Sequence, residues 1–216
     1  MTAMAKQTDI YGPCDKAIRA MDRQNVELFG RLKTLKWDEL TVIREVTKVY
    51  RKSAEQARKR FFEVAYEAFI LALLMCEEDE AEARKEADKT ITMKFVDDIL
   101  EQTDFVTLYK FNSEMERKIA RLVEALSASQ NKSAEIDRAL RYWSQQLWQY
   151  AINMTDYAVI QAFVNAGIVM VQWDSMHDAQ VCNECYALDG QIFRINELPR
   201  KPHWGCRCTY RPVPPT

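Results

Sequence analysis

The chain has 216 residues, 48% hydrophobic and 29% charged, with only five glycines and six prolines. That composition excludes collagen-like, low-complexity and wholly disordered chains, and it argues against an all-β domain built on many tight turns. The balance of 30 basic to 32 acidic residues gives a net charge of -2, with no overall pull toward nucleic acid or an anionic membrane.

Residues 1–13 are polar, contain Gly12-Pro13 and lack the apolar core of a secretory signal, so they read as a flexible N-terminal arm. The longest apolar run, Ala68 to Cys76, falls far short of the ~20 residues that span a bilayer. The expectation is a soluble, cytoplasm-made protein without a membrane segment.

Residues 14–167 read as a helical domain. A first helix is expected over Asp15–Leu32. Asp38 is the expected N-cap of a long helix running to about Asp88, with Leu40, Ile43, Val46, Val49, Tyr50, Ala57, Phe61, Val64, Ala65, Ala68 and Leu71 at helical spacing. Shorter helices are expected over Thr92–Gln102 and Asn112–Ser127. Asn131 or Ser133 caps a last long helix that ends at Gly167, a natural C′ glycine. The long second helix is electrically lopsided: Arg44 to Arg60 holds seven basic and two acidic residues, and Glu77 to Asp88 holds seven acidic and two basic. A solvated face is the favoured reading, and contact with nucleic acid or an acidic partner is the sharper one. Tyr142, Trp143, Trp148, Tyr150 and Tyr157 read as core or subunit contacts, since no phosphate-binding glycine loop accompanies them.

Residues 168–216 change texture and hold Pro199, Pro202, Pro212, Pro214 and Pro215, so they read as a small β-containing module. Ile168 to Val171 is a β-branched run and is read as a strand. Asp189-Gly190 between apolar residues predicts a type I′ hairpin that folds the chain back. The fold class is therefore α+β: a mainly helical body with long helices, and a small C-terminal β-hairpin module stapled by a Cys/His cluster.

Four of the six cysteines crowd into this module, with Cys14 and Cys76 standing apart and carrying no metal role. The spacing is C-x2-C, seventeen residues, then H-x2-C-x-C. A C-x2-C turn curls around one ion, and soft thiolates with an imidazole suit tetrahedral zinc better than oxygen-seeking Mg²⁺ or Ca²⁺. The candidates are Cys182, Cys185, His203, Cys206 and Cys208. The first four form the favoured set, with Cys208 as substitute. Two disulfides, or free thiols that merely pack, stay open as alternatives. His177 reads as a surface or capping residue rather than a base.

Enzyme motifs are missing: there is no H-E-x-x-H, no G-x-S-x-G, and no deaminase H-x-E with P-C-x-x-C. The reading is non-enzymatic. A second class is a zinc-stapled nucleic-acid-binding module, with Arg194, Arg200, Lys201, Arg207 and Arg211 on phosphates. Against it, Trp173 to Thr216 holds five basic and five acidic residues.

Trp173, Asp178, Val181-Cys182-x-x-Cys185-x-x-Leu188-Asp189-Gly190-x-x-Phe193 and Pro202-His203-x-x-Cys206-Arg207-Cys208, in this order, resemble the closing motif of the Mu F-like phage head morphogenesis family, the minor head proteins. The likeness covers about Gly167 to Pro212. It departs where the family usually reads His-Pro, since Trp204 follows His203. The chain is also short for the family, which implies fewer added domains. The resemblance implies a structural virion protein of a tailed-phage head, present in multiple copies. Its implied partners are the portal or the major capsid protein, with phage DNA as a further one through packaging or ejection.

Overall fold

The computed structural model describes residues 9–35, 39–103, 107–176 and 181–213. Its elements are α1 (Gly12–Leu32), α2 (Glu39–Met75), α3 (Glu80–Thr90), α4 (Met93–Leu100), α5 (Phe111–Ala128), α6 (Lys132–Asn165), β1 (Met170–Asp174), α7 (Asn183–Leu188), β2 (Ile192–Arg194), a 3-10 turn (Ile195–Glu197) and β3 (Thr209–Val213). The architecture is α+β, as the sequence predicts.

α2 and α6 are the two longest helices, and they pack along one another with α1 and α5 against them. The seam is aromatic. Phe29 meets Tyr50 edge-on, Tyr50 meets Trp143, and Phe111 meets Phe61, Trp143 and Tyr150, with ring centroids 5.1–5.9 Å apart. Such edge contacts add to the stabilisation from burying each ring. The indole Nε1 of Trp143 donates to Ser53 Oγ at 2.7 Å, and that hydroxyl donates to Asn25 at 2.5 Å, so the buried indole N–H and the Ser53 hydroxyl are both partnered. Most of the expected α2 stripe is buried. Ile43 points outward at 53% exposure, and its neighbour Val42 takes the inward position.

The expected single helix from Asp38 to Asp88 is divided. α2 stops at Met75, and Glu77 adopts φ 65°. The amide of Glu78 donates to Leu73 C=O and that of Glu77 to Leu74 C=O, a Schellman closure made without glycine. Asp79 then caps α3, its carboxylate accepting from Ala81 N–H at 2.9 Å. The predicted cap at Asp38 lies outside the described residues. Two other predicted helix ends hold. Asn131 accepts from Ala134 N–H, and Gly167 sits at φ 71° in a Schellman closure on Phe163 and Val164.

The C-terminal strands form an antiparallel sheet of order β2-β1-β3, wider than the predicted hairpin. Val171 and Trp173 of β1 are buried, and Trp173 packs edge-on against Tyr210 of β3 at 5.5 Å. Asp189-Gly190 does return the chain to β1, but as a different turn. Asp189 has φ -55° and ψ 130°, Gly190 has φ 75°, and Gln191 N–H donates to Leu188 C=O. These are type II signs, with one positive φ instead of two. The preference for type I′ comes from matching the twist of two paired strands, and here the turn joins a helix to a strand.

Candidate metal centre

α7 begins the site. Cys182 is its N-cap, and the Sγ of Cys182 accepts from Cys185 N–H at 3.3 Å. One helical turn thus places both thiols on one side. The second group rides on a turn closed by Cys206 N–H on His203 C=O, with Gly205 at φ 73°. The ring Nδ1 of His203 donates to Trp204 C=O at 2.9 Å, which leaves the lone pair on Nε2. That nitrogen lies 3.4 Å from Cys185 Sγ, and Cys206 Sγ lies 3.5 Å from the same sulfur.

All five predicted residues therefore converge. They fall into two triads, Cys182–Cys185–His203 and Cys185–Cys206–Cys208, with donor atoms within 4.8 Å of one another in each. Cys185 belongs to both. A tetrahedral zinc with Zn–S bonds of ~2.3 Å has edges of about 3.7 Å between donors; the two separations from Cys185 approach that edge, while the two triads share only Cys185. Every cysteine is a free thiol here. Cys185, Cys206 and Cys208 are buried, while Cys182 and His203 border a cleft of about 310 Å³ that Trp148, Met176 and Val181 also line.

The thiols polarise one another. Burial pushes Cys185 up to about 12, and the hydrogen bond to Cys208 together with burial raises Cys206. Cys208, accepting from Cys206 and Cys185, is lowered to about 5. Burial and the hydrogen bonds among the thiols thus drive their proton affinities apart, and a bound cation would displace the protons they hold.

The body holds this site at several points. Lys201 Nζ reaches Cys208 C=O, Asp156 Oδ1 at 3.3 Å and Tyr11 Oη at 3.3 Å. The rings of Tyr11, Trp173 and Tyr210 surround it at 5.3–6.0 Å. Burial alone would lower Lys201, but the Asp156 carboxylate holds it above its ordinary value. Tyr11 Oη donates to Asp156 at 2.6 Å, so the residue just before α1 is part of the clasp, and Ile10 and Tyr11 are buried. Arg207 pairs with Asp15 of α1 at 2.9 Å, and Gly205 N–H donates to Gln149 of α6 at 2.7 Å.

These contacts reassign the module's cations. Lys201, Arg207 and Arg211 are paired with Asp156, Asp15 and Asp174. Arg194 and Arg200 are exposed. On α2, Arg44, Arg51, Arg58, Lys59 and Arg60 each have an acidic partner, as a solvated, ion-paired face would. His177 and Asp178 lie outside the described residues. The sequence reading missed Tyr11, Gln149 and Asp156. The available signal was the polar pair Gln149 and Asn153, one turn apart within an otherwise apolar stretch of α6.

Residues 110–211 match the family model described as Phage Mu protein F like protein. The resemblance read from the cysteine motif is thus met, and it extends back through α6 and α5. No curated protein and no solved structure matches the chain. No helix among the described residues is long and apolar enough to cross a membrane.

Proposed function

We propose that this chain is a structural, non-enzymatic minor head protein of a tailed phage, one that docks on the portal or the inner capsid during head assembly. The observation that carries this reading is the family match, which starts at α5 and ends inside the Cys/His module. Zinc would be held by Cys182, Cys185, His203 and Cys206, with Cys208 as the substitute donor. Its contribution would be a cross-link between α7 and the 203–208 turn. Four protein ligands leave no open position for water, which fits a staple rather than a catalytic ion.

The test is co-expression with the portal and major capsid proteins of the same phage, followed by sedimentation. Co-migration with portal rings or procapsids is expected, and a chain that stays at the top of the gradient with both present would overturn the docking role. The nucleic-acid reading predicts a salt-sensitive shift of duplex DNA at low salt. With three of the module's five basic residues paired internally, no such shift is expected.

A further inference from the structure

We infer that Gln149, in the middle of α6, is a positioning residue for the metal centre. This inference rests on the metal reading above. Gln149 is 2% exposed, so its amide is a buried polar group that must be partnered. Both ends are used. Oε1 accepts from Gly205 N–H at 2.7 Å, and Nε2 donates to Asn153 Oδ1 at 2.8 Å. Asn153 in turn donates to Thr107 Oγ1 at 3.3 Å. The amide is therefore fixed in orientation before it meets the module.

Gly205 is the tip of the turn that carries His203 and Cys206. Its left-handed φ of 73° lets the backbone lie directly against α6, where an added Cβ would stand 3.1 Å from Trp148 Cη2. The tip is thus held by one short hydrogen bond and one close ring contact, both from consecutive residues of α6. Two donors flank it in sequence, and both approach Cys185, within 3.4 Å and 3.5 Å. Rotating the tip away from Gln149 would carry both donors off Cys185 together. Gln149 touches neither donor, so it acts through the Gly205 amide. The base of the same loop is held independently by Lys201 on Asp156, so loss of the tip bond leaves the loop attached.

The experiment is a chelator competition for Zn²⁺ on the reduced full chain, with Co²⁺ absorption reporting thiolate ligation. Gln149→Met keeps the volume and removes the acceptor. Gln149→Glu keeps an acceptor oxygen for Gly205. Asn153→Ala breaks the relay beyond Gln149. Gln149→Met should weaken Zn²⁺ binding by roughly 10- to 100-fold, the usual cost of losing an outer partner, and should alter the Co²⁺ bands. Gln149→Glu should restore most of the affinity. Asn153→Ala should lower thermal stability in chelator and cost clearly less affinity than Gln149→Met, because Oε1 still accepts from Gly205 when the relay beyond Nε2 is cut. Equal affinities for the unsubstituted protein and Gln149→Met overturn the inference alone. An affinity loss in Asn153→Ala as large as in Gln149→Met also overturns it, since general loosening would then suffice. No thiolate-to-Co²⁺ band in the unsubstituted protein overturns the metal reading, and this inference with it.

Discussion

The helical body and the C-terminal module are stabilised in different ways. In the body, Phe61, Phe111, Trp143 and Tyr150 fill one seam between α2, α5 and α6, and every one is 3% exposed or less. Its order follows from apolar burial along helices long enough to repeat their pattern. The module has short strands, a six-residue helix and a loop from 198 to 208 without regular structure. Its buried positions include thiols and a carboxylate, and a lysine is largely enclosed beside them. Apolar area alone is too small there, so the module borrows order from α1 and α6 and from its own donor cluster. The family match joins α5 and α6 to the module and stops short of α1 to α4. That boundary makes physical sense for α6, because Gln149, Trp148 and Asp156 form the wall on which the module sits.

The contrast breaks most sharply at Cys185. It is the donor shared by both triads, so Cys185→Ser should abolish zinc binding, whereas Cys208→Ser should weaken it less, since the Cys182–Cys185–His203 triad stays whole with Cys206 beside it. A structural zinc contributes on the order of 10 kcal/mol to the fold that holds it. Native mass spectrometry with and without chelator gives the occupancy. Limited proteolysis should then show cleavage within residues 181–213 while far-UV helicity persists. Lowering the pH should also weaken binding, because burial pushes the Cys185 thiol up to about 12 and its proton must leave when the ion binds. Equal resistance of the module in the variant would show that the body anchors suffice by themselves.

Trp143→Ala attacks the other side of the comparison. It removes a fully buried ring and the hydrogen bond to Ser53, at a cost of about 3–5 kcal/mol. For a chain of this size each kcal/mol lowers Tm by roughly 2–4 °C. The loss should appear equally with and without chelator, and thermal denaturation checks it. Gly205→Ala comes next, at about 1–2 kcal/mol for a left-handed residue. Unlike Trp143→Ala, it should weaken zinc affinity as well, because the new Cβ presses on Trp148.

These costs also explain what the sequence could disclose. Asn131 and Gly167 are residue types whose chemistry fits one position, so the ends of α6 were readable in advance. The convergence of Cys182, Cys185, His203, Cys206 and Cys208 was readable for the same reason, since few roles call for that spacing of thiols. The sequence offers Lys201 as a phosphate contact under the nucleic-acid alternative, because a lysine is ordinarily exposed. Only the tertiary meeting with Asp156, 45 positions away, makes burial tolerable. The type II turn at Asp189-Gly190 was hidden because the dipeptide serves either turn, and its choice depends on α7 preceding it.

The smallest effect tests the clearest disagreement between pattern and structure, the break between α2 and α3. Asp79→Ala removes the cap on Ala81 N–H and should cost about 1 kcal/mol. That result alone would not separate a broken helix from a frayed one, but Glu77 does so by sign. At φ 65° a glutamate is strained, and glycine adopts that conformation freely. Glu77→Gly should therefore be neutral or stabilising by a few tenths of a kcal/mol, with Tm unchanged or slightly raised. In a continuous helix the same substitution would cost about 1 kcal/mol, because glycine is a poor helix former. The direction of the Tm shift decides whether the acidic segment turns away from α2 at Glu77, and it does so without touching the core or the metal centre.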